Sequence, residues 1–150
     1  MSIRTLQPER LWKEFYEICQ IPHPSKKEEK MIAYLQEFGK RHNLETRTDA
    51  AGNVLICKPA TPGYENRKKV ILQSHMDMVC EKNNDTQHNF DTDPIQPYID
   101  GEWVKAKGTT LGADNGIGMA TELAILASND LKHPALECLF TVDEETGLTG

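Results

Sequence analysis

The sequence predicts one α/β domain, built on a mixed, mostly parallel sheet flanked by helices. A short apolar strand at 70–72, an amphipathic helix at 116–127 and a second apolar strand at 136–142 follow one another along the chain. This order predicts parallel strands joined by a right-handed crossover, with helices on both faces of the sheet. The chain has 150 residues, of which 38% are apolar, which suffices for one core but not for two ordinary domains.

Two helices are predicted ahead of the first of these strands. The first begins near Pro8, which suits a first helical position, and its apolar residues recur at helical spacing over 11–18. A breaker at 21–24 separates it from the second helix, whose apolar stripe covers 31–38. Residues 25–28 read Ser-Lys-Lys-Glu, an S-x-x-E pattern that predicts a capping box at the start of the second helix.

The remaining elements are strands and loops. Residues 45–48 and 54–58 flank a turn of Asp, Ala, Gly and Asn, which predicts a β-hairpin. The run 70–72 is continuously apolar, which predicts burial on both faces of the sheet. The segment 83–97 is polar and irregular, and a weaker strand follows at 103–106.

Charge and hydropathy argue against several classes of protein. Lys and Arg number 17 and Asp and Glu 23, giving a formal net charge of −6. An acidic chain without a Lys/Arg stripe is not expected to bind nucleic acid or an anionic membrane. No apolar run approaches the ~18 residues of a membrane span, and the first residues lead into no signal-type segment. A cytoplasmic protein is therefore expected.

The cysteines and most histidines are predicted to have structural or surface roles. The four cysteines are scattered without a C-x-x-C pair, which predicts reduced thiols rather than disulfides or a thiolate zinc site. Cys138 lies in an apolar run and is expected in the core. Four of the five histidines, namely His23, His42, His88 and His133, lie in turns or polar stretches and are predicted to be on the surface.

Imidazole and carboxylate groups concentrate at three places in the predicted fold. His75 and Asp77 lie just past the strand at 70–72, and Glu144 and Glu145 follow the last strand. The carboxyl ends of strands are where open α/β sheets bind ligands. Asp114 lies just before the helix at 116–127, where the helix dipole favours an anionic group.

These residue types predict a metal site. One imidazole and several carboxylates suit Zn²⁺, Mn²⁺ or Co²⁺. His75 and Asp77 share one face of an extended segment, so Asp77 either binds the metal or fixes the tautomer of His75. Glu144 and Glu145 point in different directions, so that one could bind metal while the other acts as general base. Asp114, with two oxygens, suits a bridge between two ions, and the set predicts metal-assisted hydrolysis.

Each of these patterns also has an ordinary structural interpretation. A single H-x-D is a weak signal, a Glu-Glu pair is usually a solvated loop, and an Asp before a helix is usually an N-cap. Gly112, Gly116 and Gly118 suggest a dinucleotide loop, but their spacing is G-x-x-x-G-x-G rather than G-x-G-x-x-G. The chain could therefore be a non-catalytic α/β interaction module, and a nucleotide-binding module is the least supported alternative.

At these residues the chain resembles a known family, the bacterial aminoacyl-histidine dipeptidases, also called cytosol non-specific dipeptidases. They belong to the co-catalytic zinc peptidases that include carboxypeptidase G2 and carnosinases. The matching segments occur in family order at 21–29, 72–82, 108–118 and 140–147. The sequences at 80–82 and 109–116 are specific to this dipeptidase branch.

The resemblance implies a zinc-aminopeptidase-like fold, a role for each candidate residue and two Zn²⁺ ions, with Mn²⁺ or Co²⁺ as alternatives. His75 would bind one zinc, and Asp77 would orient it. Asp114 would bridge both ions, and Glu145 would bind the other zinc. Glu144 would be the general base that takes a proton from the metal-bound water. The implied reaction is hydrolysis of Xaa-His and other unblocked dipeptides, with deacylation of N-acyl amino acids as the alternative in the same superfamily.

The resemblance also implies that the chain is incomplete as an enzyme. Family members are longer, with a lid domain through which they dimerise, and their two other metal ligands lie beyond the equivalent of Gly150. Residues 1–150 are therefore expected to be the N-terminal part of a metallopeptidase catalytic domain, without the lid or the C-terminal half. This chain alone is expected to be inactive.

The resemblance further implies a cis peptide bond between Asp114 and Asn115, as in relatives.

Overall fold

A computed structural model describes residues 2–150, which form three α-helices and two sheets. In chain order the elements are a 3₁₀ turn (Ile3–Thr5), α1 (Glu9–Gln20), α2 (Glu29–Arg41), β1 (Glu45–Thr48), β2 (Val54–Lys58), β3 (Val70–His75), β4 (Pro97–Asp100), β5 (Trp103–Ala106), α3 (Ala113–Ala127) and β6 (Leu136–Thr141). No helix in this described part is long and apolar enough to cross a membrane.

The larger sheet has four strands in the order β1-β2-β6-β3. The predicted hairpin is confirmed as β1 and β2, which pair antiparallel, as do β2 and β6. The parallel pairing is confined to β3 and β6, which the chain joins through α3. The predicted mixed α/β sheet is thus confirmed, and its parallel pair is the strand–helix–strand unit indicated by the sequence. Within residues 2–150 it is not mostly parallel as predicted, because two of its three strand pairs are antiparallel.

One face of this sheet packs against the helices and forms the core. Side chains alternate along β6, so that Leu136, Cys138 and Phe140 are buried while the residues between them are half-buried. The predicted apolar stripes face this surface. The largest fully buried helix residues are Phe15 and Ile18 of α1, Met31, Leu35 and Phe38 of α2, and Met119 and Leu123 of α3.

The opposite face of the sheet is open within residues 2–150. Its side chains are all half-buried or exposed: Leu55, Cys57, Ile71, Gln73, Glu137, Leu139 and Thr141. The prediction that 70–72 is buried on both faces is wrong, because Val70 is 41% and Ile71 63% exposed. The reason is that β3 is the edge strand and only one face of the sheet is covered in this chain. The expectation of helices on both faces is wrong here for the same reason.

The helices begin close to their predicted positions, but the predicted capping box does not form. α1 starts at Glu9, directly after Pro8. α2 starts at Glu29, with Glu28 at the N-cap and no side-chain capping hydrogen bond. Ser25 lies three residues before that cap, and its hydroxyl instead donates to Asp77 at 2.7 Å.

The N-terminus of α3 has an irregular backbone. Gly112 precedes the helix with a left-handed φ of 74°, a conformation that glycine adopts at no steric cost. Asp114 and Asn115 have non-helical backbone angles, and the peptide bond between them is cis, as the resemblance implies. Regular helix therefore begins near Gly116, where a Cβ would lie 2.9 Å from the Phe15 ring of α1. The absence of a side chain at this position lets α1 and α3 pack closely.

Outside the main sheet, β5 confirms the weak strand predicted at 103–106. Its antiparallel partner is β4, a strand that the sequence did not predict. Pro97, at the start of β4, pairs with Ala106, a strand-end position that proline tolerates. All four cysteines are free, and Cys138 is fully buried as predicted.

A buried carboxylate lies in the core beneath β3. Glu122 of α3 is 3% exposed, and its Oε2 has no hydrogen-bond partner within the described chain. Burial raises the pKa of this carboxyl from 4.5 to about 7, and the nearby Ser74 and Cys138 side chains offset only part of the shift. Burial disfavours the ionised form of Glu122 in the folded state. Ionisation of this carboxyl should therefore lower the free energy of unfolding.

We expect Glu122→Gln to remove a pH-dependent loss of stability. The unfolded chain ionises Glu122 at lower pH than the folded chain does, so the wild-type free energy of unfolding falls as pH rises from about 4.5 to about 7. Between pH ~5 and ~8, wild type should lose about 2–3 kcal/mol relative to the variant. Urea denaturation at both pH values measures this, with Glu17→Gln, at an exposed position of α1, as control. Equal pH dependence in wild type and Glu122→Gln would contradict the assignment.

Candidate metal centre

The three predicted groups of polar residues meet at one edge of the sheet. His75 is the last residue of β3, and Glu144 and Glu145 follow the end of β6. Because β3 and β6 run parallel, with His75 opposite Thr141, their ends finish level. Asp114 reaches the same edge from the first turn of α3. Its Oδ1 lies 3.0 Å from Nε2 of His75, and a Glu144 carboxylate oxygen lies 3.7 Å from the same nitrogen.

His75, Asp114 and Glu145 form a group that fits a divalent metal ion. Each offers one ligand atom, and these atoms lie within 4.8 Å of one another. One imidazole nitrogen and two carboxylates suit zinc or manganese. His75 is buried, whereas the Asp114 side chain is 87% exposed. The group is therefore anchored on the protein side and open towards solvent.

Asp77 lies beneath this group and does not belong to it. It is 1% exposed, and its Oδ1 lies 3.2 Å from Nδ1 of His75. The same oxygen accepts the backbone N–H of Glu144 at 2.9 Å, while Oδ2 accepts the N–H of Glu145 at 3.2 Å and the Ser25 hydroxyl at 2.7 Å. Burial alone would raise the pKa of Asp77, but these hydrogen bonds and the proximity of His75 outweigh it and lower the pKa.

The orientation of His75 follows from Asp77. Its Nδ1 faces two acceptors, the carboxylate and the backbone oxygen of Asp77, the latter at 3.1 Å. This assigns the ring proton to Nδ1 and leaves Nε2 directed at Asp114. Burial alone would lower the pKa of His75, but Asp114, Asp77 and Glu144 outweigh it and raise the pKa. The Asp77 carboxylate thus lies next to Nδ1 of His75 and outside the group formed by His75, Asp114 and Glu145.

A tight turn at Asp143 presents the two glutamates. Asp143 is buried and has a left-handed φ of 47°. Its carboxylate accepts hydrogen bonds from the hydroxyls of Thr146 and Thr149. Its backbone N–H donates to Oε1 of Glu28 at 2.9 Å. The contacts of Ser25 and Glu28 with this region are the ones that sequence reasoning missed, because their spacing matched a helix cap.

Two other histidines differ from their predicted surface positions. His23 is 4% and His133 7% exposed. Nδ1 of the His23 ring lies 2.5 Å from the Ile21 carbonyl oxygen, and the His23 backbone carbonyl accepts a hydrogen bond from the Met78 N–H. Polar neighbours in the sequence do not reveal such pairing across the fold. His42 and His88 are half-buried.

A cleft of about 410 Å³ lies beside the candidate metal centre. Its lining comes from the ends of β3 and β6, the start of α3 and the chain end: Gln73, His75, Asp114, Asn115, Thr141, Val142, Glu144, Leu148 and Gly150. Small ligands are typically bound in concave sites of this order of size. The cleft therefore provides room for a small substrate next to Nε2 of His75 and the Glu144 carboxylate.

Comparison with known proteins shows that the chain is similar to part of known peptidases, although no family model matches it. It is 58% identical over 149 residues to the cytosol non-specific dipeptidase of Escherichia coli, covering 99% of the chain and 31% of that protein. Among solved structures, the aminoacylhistidine dipeptidase of Vibrio alginolyticus superposes with a TM-score of 0.98 at 59% identity, covering 100% of this chain and 31% of the other.

A more distant structure shares the same fold. Aminopeptidase PepT of Bacillus cereus superposes with a TM-score of 0.76 at 26% identity, covering 97% of this chain and 39% of the other. The chain thus spans about a third of the length of the first two relatives. Identity of 58–59% along the whole chain confirms the resemblance indicated by its motifs, and the chain is a homologue of part of the aminoacyl-histidine and cytosol non-specific dipeptidases.

Proposed function

We propose that the chain supplies part of the active site of a metal-dependent dipeptidase acting on Xaa-His and other unblocked dipeptides. The observation that carries the proposal is the convergence of His75, Asp114 and Glu145, whose ligand atoms lie within 4.8 Å of one another beside an open cleft. The names of the two nearly 60% identical relatives support a dipeptide substrate over an N-acyl amino acid.

In this proposal His75, Asp114 and Glu145 would hold divalent metal ions, Zn²⁺ in the first instance and Mn²⁺ or Co²⁺ as alternatives, and Asp114, with two carboxylate oxygens, would serve both ions. When bound, such ions polarise the peptide carbonyl and lower the pKa of water. Asp77 keeps the His75 ring turned so that Nε2 faces the centre, because both of its own oxygens are engaged by protein donors.

Glu144 is the proposed general base. Its carboxylate lies 3.7 Å from Nε2 of His75, yet it is not one of the three grouped ligands. A carboxylate next to the ligands, at the rim of the cleft, can take a proton from the attacking water and deliver it to the leaving amine. Its position is fixed through its backbone N–H, which donates to Asp77.

We also propose that residues 1–150 are the N-terminal part of a catalytic domain whose lid and remaining metal ligands belong to a longer protein. The 31% coverage of both close relatives supports this. The chain alone is then inactive, and the parent dimerises through its lid. A cytoplasmic location is supported by the name of the Escherichia coli relative.

Metal loading tests the proposed centre. Wild type should retain zinc after loading and gel filtration, measured per chain by mass spectrometry. Asp114→Ala should lose most of it, because the variant removes one of the three grouped ligands. Asp85→Ala, at an exposed turn position, is the matched control and should retain it. Equal zinc in wild type and Asp114→Ala, or none in folded wild type, would contradict the proposed centre.

Substitution of Glu144 separates binding from chemistry. In the longer protein, Glu144→Gln should retain the metal and lower kcat on Ala-His by about 10²–10⁴, with KM little changed, because only proton transfer is lost. The check is steady-state kinetics together with metal content, and comparison with an N-acetyl amino acid tests substrate class. Unchanged kcat would remove Glu144 from the mechanism, and parent-like turnover by residues 1–150 alone would contradict the proposed inactivity.

A further inference from the structure

The Ser-x-x-Glu sequence at 25–28 matches a helix capping box, but its two polar side chains are directed away from α2. The segment before the helix runs alongside the residues after β3. Pro24 forms an isolated parallel bridge with Met78, and the Met78 N–H donates to the His23 carbonyl at 3.2 Å. This pairing brings Ser25 and Glu28 beneath the candidate metal centre.

Ser25 contacts the centre through Asp77. Its hydroxyl donates to Oδ2 of Asp77 at 2.7 Å. The same oxygen accepts the N–H of Glu145, and the other oxygen faces Nδ1 of His75. Because a carboxylate plane has little freedom once both oxygens are engaged, the Ser25 hydroxyl acts with the N–H groups of Glu144 and Glu145 to fix the rotation of the Asp77 carboxylate next to His75.

Glu28 contacts the centre through the turn that carries both glutamates. It is 6% exposed, and its Oε1 accepts the N–H groups of Lys26 at 3.1 Å and Asp143 at 2.9 Å. Asp143 is itself buried, and its backbone has a left-handed φ angle. Glu28 therefore ties the segment before α2 to the residue directly preceding Glu144.

We propose that Ser25 and Glu28 are positioning residues of the metal centre, which hold Asp77 and the Asp143 turn at the separation that brings the ligand atoms of His75 and Glu145 together with Asp114. This inference rests on the proposed function. Glu28, Asp77 and Asp143 also have carboxylate oxygens within 4.8 Å of one another. Each of these carboxylates already accepts hydrogen bonds from this chain, so their closeness follows from holding the turn and does not indicate a separate ion site at these three residues.

The test compares zinc affinity, by competition with a chromophoric chelator, with backbone amide exchange measured by NMR on the metal-free chain. Glu28→Ala should weaken zinc binding about 10–100-fold, the usual effect of removing a group that orients metal ligands, and should accelerate exchange at the Asp143 N–H. Glu28→Gln should stay near wild type, because its amide oxygen still accepts both N–H groups. Glu29→Ala, at the adjacent exposed position, is the matched control and should change neither quantity.

A second pair keeps the inference testable if Glu28→Ala fails to fold. Ser25→Ala should weaken zinc binding about 10-fold or more, and Ser25→Thr, which retains the hydroxyl, should restore it at unchanged melting temperature. Wild-type affinity in both deletion variants, or faster Asp143 exchange without loss of affinity, would overturn the inference while leaving the proposed function intact. Absence of zinc binding by folded wild type would instead overturn the proposed function, and this inference with it.

Discussion

The carboxylate of Asp77 is 1% exposed and accepts hydrogen bonds from the Ser25 hydroxyl and from the backbone N–H groups of Glu144 and Glu145, while facing Nδ1 of His75. A charge buried this deeply must be compensated by such partners. These partners come from separate segments of the chain. The hydrogen bonds that stabilise the buried charge of Asp77 therefore also fix the geometry of the candidate metal centre. Any change that moves one segment displaces a ligand or the proposed base.

The topology of the sheet brings these separate segments together. β3 and β6 are parallel neighbours in register, with His75 opposite Thr141, so that the residues following both strands leave the sheet at the same edge. The crossover between them includes α3, whose first turn returns Asp114 to within 3.0 Å of His75 Nε2. The helices pack on the covered face of the sheet, whereas Gln73 and Thr141 of the open face line the cleft. The ligands are therefore supported by the core and accessible to a small molecule.

Much of this arrangement could be predicted from local pattern and topology. The β1–β2 hairpin and α3 followed from turn residues and helical periodicity, and the approach of His75 to the Glu144–Glu145 pair followed from the rule for parallel strand ends. The choice of Glu145 as ligand and Glu144 as base came only from the family resemblance and stays a prediction. The exposure of Ile71 could not be predicted, because a continuously apolar strand has the same sequence whether its second face is covered or open. The Ser25–Glu28 spacing fits a helix cap equally well, and only the tertiary contacts with Asp77 and Asp143 distinguish the two uses.

The central claim is that one edge of the sheet, organised by Asp77, forms a metal centre with Nε2 of His75 as a ligand. The most direct measurement is a crystal structure of the zinc-loaded chain with anomalous data collected at the zinc absorption edge. We expect zinc peaks at which Nε2 of His75 and a carboxylate oxygen of Glu145 each lie about 2.0–2.2 Å from an ion, with an Asp114 oxygen at the same distance from each ion that is bound. A peak among Glu28, Asp77 and Asp143 instead, or a loaded crystal with no peak at His75, would contradict the claim.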